Sequence, residues 1–315
     1  MSAPPIVPQS TAVAPPEELL ELTHGVQKEL RARGETLSTE WVEQSARDLK
    51  DGTLAGWYFP LAQGGALAFY SLRPQRAYGH VHVVEREQAV LHAEQLVRQL
   101  RVSLPPTIRT IDIGFTGLTT EDERALWEAL RGVPGSVSIV RNAMERPIES
   151  ADVAQSPRIP TGCRMLAPRA TELDALSELD WNAFRASADE SLLGSDREEY
   201  RRVLSEILAG RLGRFLEEAS TGLVDSENRL VAALLTGEES TRRAIFLDLM
   251  VDPGRRRQGL ATFLINWGCR ALWALGYASV RLWVTQTNEP AVRLYERLGF
   301  RVTATSLIYR WSRVE

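Results

Sequence analysis

The stretch best equipped for chemistry in this 315-residue chain is VDPGRRRQGLATFL (251–264), a loop rich in Gly and Arg between an apolar run and a helical pattern. A strand that empties through such a loop into a helix brings unpaired N–H groups and the positive end of the helix dipole to one point. Gly259 lets a ligand approach the backbone with no Cβ in the way, and Ala261 keeps the next contact small. Arg255, Arg256 and Arg257 add positive charge. Together these features make an anion site suited to a pyrophosphate. The order is not Gly-x-x-x-x-Gly-Lys-Ser/Thr or Gly-x-Gly-x-x-Gly, and no set of magnesium ligands accompanies it. Asp248, on the strand that feeds the loop, is a candidate base, with Glu238 and Glu239 as alternatives. Strand alternation puts Asp248 and Met250 on one face, opposite Leu247 and Leu249, and leaves open which face lines the site.

The elements that must position these residues follow from periodicity. In the second half, helices are expected at Thr171–Ser187 and Asp196–Gly210, and strands near 213–225, 229–237 and 243–251. A helix is expected at Gly259–Leu275, with Leu260, Leu264, Trp267, Ala271 and Leu275 on one face. A strand at 279–285, a helix at Asn288–Leu298 and a last strand between Phe300 and Trp311 complete this half. Asn288 before Glu289-Pro290 is a natural helix N-cap. The first half shows helices at Glu17–Arg33 and Ser38–Asp51, aromatic strand runs at 56–61 and 65–72, and HVHVV at 80–84. A helix at 88–102, a strand at 107–115, a helix at 120–130 and a strand at 136–144 then repeat the order of the second half. Between the halves, 147–160 is rich in Pro and poor in apolar residues and reads as a linker.

Composition excludes several classes. Net charge is −4, which argues against a nucleic-acid binder. Cys163 and Cys269 stand far apart in no ligand pattern, so neither a disulfide framework nor a structural metal is expected. The thiols suit a reducing cytoplasm. Residues 1–16 have no basic or apolar signal region and read as a disordered leader. No apolar run is long enough to cross a membrane. Cys269, Trp267 and Trp273 read as packing residues, and Trp283 as a residue that could line a splayed strand edge.

Arg256-x-x-Gly259-x-Ala261 resembles the Arg/Gln-x-x-Gly-x-Gly/Ala signature of the GNAT superfamily of acyl-CoA-dependent N-acyltransferases. NEPAVRLYERLGF (288–300) is similar to the family's Asn-x-x-Ala-x-x-x-Tyr-x-x-x-Gly-Phe pattern. The resemblance implies an α/β fold with a mixed sheet, arranged as two tandem GNAT-like domains: 17–146, degenerate, and 161–315, catalytic. It implies acetyl-CoA as co-substrate, with Leu249, Met250 and Val251 along the pantetheine arm. Arg256, Arg257, Gln258, Gly259, Leu260, Ala261 and Thr262 would surround the pyrophosphate, Asn288 would lie near the arm, and Tyr295 would point at the sulfur. The implied reaction is direct attack by a primary amine in a ternary complex, without metal. The acceptor would be a small amine or a protein N-terminus. Tandem members also include mycothiol synthases, which acetylate a cysteinyl glycoside. A non-catalytic acyl-CoA sensor is the competing reading, although a pure binder needs no proton donor at the sulfur.

The matching place in the first half, EREQAVLHAEQL, has no glycine and carries acids where phosphates would lie. Trp127 stands where Tyr295 stands in the second half, and an indole N–H is too weak an acid to protonate a thiolate. This half is expected to have kept a scaffold and lost the cofactor site.

Overall fold

The structure, a computed structural model, describes residues 55–59, 66–73, 76–83, 89–104, 106–116, 120–154, 157–168, 173–185, 187, 189 and 196–313. The expected leader and the helices at 17–33 and 38–51 lie outside them. The described residues form an α/β fold with mixed strand pairing, divided into two compact units: 1–140 with 306–315, and 141–305.

In the first unit, β1 (Ala55–Phe59), β2 (Ala66–Arg73) and β3 (Arg76–Val83) pair antiparallel in sequence. Then β3 runs parallel to β4 (Thr110–Thr116). A parallel pair needs a crossover, supplied here by α1 (Ala89–Ser103); α2 (Thr120–Leu130) follows β4. The other edge of β4 is taken by Ile308–Ser312, the end of β11 (Arg301–Ser312). Val97, Leu126 and Leu130 pack with Ile111, Ile113, Tyr309 and Trp311 in one core. Asp112, between the two isoleucines, is also buried, and it pairs with Arg76 and Arg310. A buried carboxylate needs such charged partners. The residues 84–88, where the first half would carry its phosphate loop, lie outside the described set.

The second unit takes its first strand from β5 (Ser136–Pro147), then α3 (Ala151–Ala154), β6 (Arg164–Leu166), α4 (Leu173–Phe184), α5 (Arg197–Leu208) and β7 (Thr221–Val224). It continues with β8 (Leu230–Ser240), β9 (Arg243–Val251), α6 (Leu260–Ala274), β10 (Ser279–Thr285) and α7 (Glu289–Arg297). Strand order is β5-β10-β9-β8-β7-β6, with β9 and β10 parallel and the other pairs antiparallel. On one sheet face α4 and α5 pack with Ala233, Leu235 and Met250. On the other, α6 and α7 pack with Ala232, Leu234 and Phe246.

Several local expectations change. The strand expected near 213–225 is a short 3-10 turn, Glu217–Ala219, followed by β7. Leu275 lies past the last turn of α6 and is 42% exposed, as is Trp273 at 40%. The buried face of α6 includes Phe263, Ile265, Gly268, Cys269 and Leu272 as well. Residues 141–147 form the strand beside β10, and Ile148 beyond them is buried and donates its N–H to the Ala278 carbonyl at 2.9 Å.

Candidate active site

The cleft begins with a failure of strand pairing. Residues 243–246 of β9 pair with 279–282 of β10, and pairing stops there, although β10 continues along β5 to Thr285. The cause lies on the other edge of β9. Leu235 faces Asp248 and Thr236 faces Phe246, so Leu247 is an extra residue, a β-bulge. A bulge bends its strand and re-aims the side chains that follow. Phe246 packs on the α6 side, while Leu247 and Met250 pack on the α4–α5 side and Leu249 and Val251 on the α6 side. The expected alternation thus fails at Leu247, which shares a side with Met250. Gly237 makes room for the bulge: a Cβ there would stand 2.7 Å from Leu247 Cδ1. Beyond Phe246, one backbone edge of β9 lies open toward the gap, a ready partner for an extended amide-bearing chain.

The β9 strand leads into a 3-10 turn at Pro253–Arg255, held by Asp252, whose side chain accepts from the Gly254 N–H at 2.8 Å. Arg257 and Gly259 both have positive φ, 62° and 81°. Gly259 is the N-cap of α6 with no side-chain cap, so the first N–H groups of the helix point outward without a local acceptor. A Cβ on Gly259 would meet nothing within 4 Å. The glycine therefore answers to backbone conformation and to open space on its ligand side, not to crowding by the protein. These features suit a pyrophosphate. The Arg256 guanidinium turns away to the Ala183 carbonyl, and Arg255 is held by Asp225 and Gln258. Exposed Arg257 remains beside the helix N-terminus.

At the other end of the gap stand Tyr295, Asp248, Asp189 and Arg141. All of these, with the glycine-bearing loop, line one cavity of ≈ 720 Å³ within the second unit. Asn288 occupies the N-cap position of α7 without capping it; its Nδ2 donates to Asp189 Oδ2 at 2.7 Å. Thr285 Oγ1 donates to Asp189 Oδ1. Arg141, on β5, donates to the Trp283 carbonyl at 3.1 Å. Burial pushes the Tyr295 phenol well above its usual range, helped by the Asp189 and Asp248 charges, so it stays protonated at neutral pH. Burial, then the Asp189 charge, raises the Asp248 carboxyl to about 7, against a bond from the Leu249 N–H. Asp180, on α4, is 1% exposed, with Oδ1 lacking a partner; burial, then the Asp248 charge, pushes its carboxyl far up.

A carboxyl raised on folding binds its proton more tightly in the folded state, so its stabilising effect is full below its unfolded pKa and is lost as pH rises through the folded one. Asp180→Asn removes that dependence. The variant is expected to gain in Tm over the parent increasingly from weakly acidic to weakly alkaline pH, by roughly 2–4 °C per kcal/mol. A Tm difference that does not vary with pH would count against this account.

The structure brings Asp248, Leu249, Val251, Arg256, Arg257, Gly259, Leu260, Ala261, Thr262, Asn288 and Tyr295 to one cavity. Two expected residues are elsewhere: the Met250 side chain is fully buried against α4 and α5, and Gln258 is exposed, bonded to Arg255. Glu238 is held by Arg214 and Tyr277, and Glu239 by Arg243 and Arg281; neither lines the cavity, which leaves Asp248 of the three. Trp283 does line it. Sequence reasoning missed Asp189, Asp180 and Arg141. None sits in a motif, and Arg141 lies before the expected linker. Among the described residues no group of His, Cys, Asp and Glu could hold a metal, and no helix is long and apolar enough to cross a membrane.

An open strand edge, a glycine-bearing loop and a helix N-terminus thus lie along one gap. The profile of the acetyltransferase (GNAT) family matches residues 173–300, somewhat less than half of the chain. A mycothiol acetyltransferase of Thermobispora bispora is 32% identical over 170 residues, 53% of this chain and 55% of its own. One from Propionibacterium freudenreichii subsp. shermanii is 25% identical over 245 residues, 73% of this chain and 77% of its own. The match thus spans about half of the first relative and about three quarters of the second. Among solved structures, a GCN5-related N-acetyltransferase of Sphaerobacter thermophilus has a TM-score of 0.64 at 16% identity, covering 97% of both chains. A tandem GNAT protein from the clavulanic acid biosynthesis pathway has a TM-score of 0.65 at 14% identity, covering 94% of this chain and 95% of that one. These two likenesses are of fold.

Proposed function

We propose that the protein is an N-acetyltransferase that moves an acetyl group from acetyl-CoA to a primary amine within a ternary complex. The observation that carries this reading is that one cavity of the second unit has a glycine-bearing loop and helix N-terminus at one end and Asp248 with Tyr295 at the other. Bound there, acetyl-CoA supplies an activated acetyl thioester. The open edge of β9 would take the amide groups of the pantetheine arm, and the N–H groups at the start of α6 would take the phosphates. Asp248, titrating near neutrality, accepts a proton from the incoming ammonium, the state of a primary amine at neutral pH. The amine nitrogen then bonds to the acetyl carbon as the carbon–sulfur bond breaks. Tyr295 donates its proton to the departing thiolate and is restored by the second proton that the nitrogen must lose to become a neutral amide. Holding the amine and the thioester in line supplies much of the rate.

A thiol has a reference pKa of ~8.5, so its thiolate leaves tolerably well without help. Tyr295→Phe is therefore expected to lower kcat by roughly 10- to 100-fold, at the low end for a lost general acid. Acetyl-CoA affinity should stay nearly intact. The assay is thiol release from acetyl-CoA with a panel of amines, beside calorimetric binding of the cofactor. Tight binding with no thiol release for any amine would instead favour the sensor reading.

The relatives named mycothiol acetyltransferase favour a cysteinyl glycoside as one acceptor to include in that panel. For the first unit, the parallel β3–β4 pair with its crossover helix, and Trp127 near Tyr309 where a tyrosine acid would be needed, support a degenerate copy of the same scaffold.

A further inference from the structure

Asp189 is not used by the mechanism above, and its environment is unusual for a carboxylate. It is 8% exposed and lines the cavity beside Asp248 and Tyr295. Its two oxygens accept from Thr285 and Asn288, both neutral donors, and no ion pair to it occurs among the described residues. A buried carboxylate held only by neutral groups bears a large desolvation cost. Asp248 adds a second carboxylate nearby, and the Arg141 guanidinium lies close enough to feel the Asp189 charge without forming an ion pair with it. Arg141, also on the cavity wall, spends one guanidinium nitrogen on the Trp283 carbonyl and leaves its buried Nε without a partner. Both groups keep bonding capacity: each Asp189 oxygen accepts one bond, and the Arg141 Nε makes none. A ligand with a positive charge, and an oxygen close to it, would complete them.

We propose that Asp189 is the specificity-determining residue for the acceptor: it binds the amine as an ammonium ion, so the enzyme takes primary amines that are charged at neutral pH. This rests on reading the cavity as the acceptor side of an acetyltransferase. Thr285 and Asn288 fix the carboxylate so that it faces the incoming nitrogen. The ammonium bridges Asp189 and Asp248 and gives its proton to Asp248. The alternative is that Asp189 only anchors Asn288 and Thr285, in which case the charge of the amine would not matter.

The test compares ethanolamine, an ammonium ion at neutral pH that carries an oxygen, with hydroxylamine, which is uncharged there. Asp189→Asn keeps the shape and removes the charge. With ethanolamine, kcat/KM should fall roughly 30-fold or more, mainly through KM, as expected when one partner of a desolvated charge pair is removed. The loss with hydroxylamine should be smaller by at least about tenfold. Asp189→Glu should recover part of the ethanolamine activity. Equal losses with the two amines, or no loss with ethanolamine, would overturn the proposal. A second readout needs no turnover: binding of ethanolamine to the CoA-saturated protein, followed by tryptophan fluorescence because Trp283 lines the cavity. Weaker binding to the Asn variant supports the role of Asp189 even if no acetyl is transferred, which would count only against the enzymatic reading. Unchanged binding, or no binding to the parent protein, overturns it.

Discussion

Asp248→Asn is expected to cut kcat/KM by roughly 10²–10⁴-fold at neutral pH, the usual range for a lost general base, while acetyl-CoA affinity stays close to that of the parent. The carboxyl is buried on the cavity wall and lies near neutrality because its charged form is poorly solvated and faces Asp189. A base is most effective when its pKa is near the working pH, since it is then both substantially ionised and basic enough to take the proton. The parent should therefore show activity that rises with pH through an apparent midpoint near the value of about 7 set by this environment. The carboxyls of Asp180 and Asp248 titrate as neighbours, and the observed midpoint belongs to the pair. The Asn variant should lose that rising limb as well as its rate. Asn keeps the size of the side chain, so loss of fold is a minor concern, and unchanged thermal unfolding would confirm it. A variant that retains both rate and limb would remove Asp248 as the base.

Gly259→Val should abolish measurable acetyl-CoA binding, a loss of at least roughly 100-fold. Two effects combine. At a φ of 81° a β-branched residue is strained, since the left-handed region costs ~1–2 kcal/mol for ordinary residues. In addition, its side chain would occupy the open space over the first turn of α6, where the phosphates would approach. Gly259→Ala separates the two: it carries most of the strain with little bulk, so it should lose about tenfold. Calorimetric titration with acetyl-CoA reads both, with circular dichroism as the check on folding. Unchanged binding by the Val variant would mean that the loop is not the phosphate site. Tyr295→Phe has the opposite signature, with turnover reduced and binding kept, so the three variants assign the two ends of the cavity independently.

The loop and helix start proposed as a phosphate cradle were legible in the sequence because they are built locally. A strand, a turn with positive φ and a helix N-terminus are consecutive in the chain, and their backbone geometry follows from residues 247–262 with little outside help. The helix that presents Tyr295 was legible for the same reason, its periodicity and its Asn-Glu-Pro start both being local. Asn288 shows where local reasoning stops. It sits at the N-cap as expected, but a buried carboxylate competes for its amide and wins.

What the tertiary structure alone decided is the half of the site where the reaction would occur. The face of Asp248 depends on the bulge at Leu247, which is a mismatch in register between β8 and β9 and so belongs to neither strand by itself. Arg141 and the strand beside β10 come from residues 141–147, and the strand beside β4 comes from the end of the chain. Apolar periodicity reports which side of a strand is buried, but not which strand will pair with it. A cut at the Pro-rich stretch 147–160 would therefore take from β10 the neighbour that carries Arg141. Asp189 and Asp180 looked like ordinary polar residues because their meaning arises from burial beside Asp248, a contact between segments far apart in sequence. By itself the sequence determined the glycine-bearing loop and helix start at 251–262 on which the proposed acyl-CoA cradle rests. The carboxylates that face it, and the charge they can accept, follow from long-range packing, which no local pattern encodes.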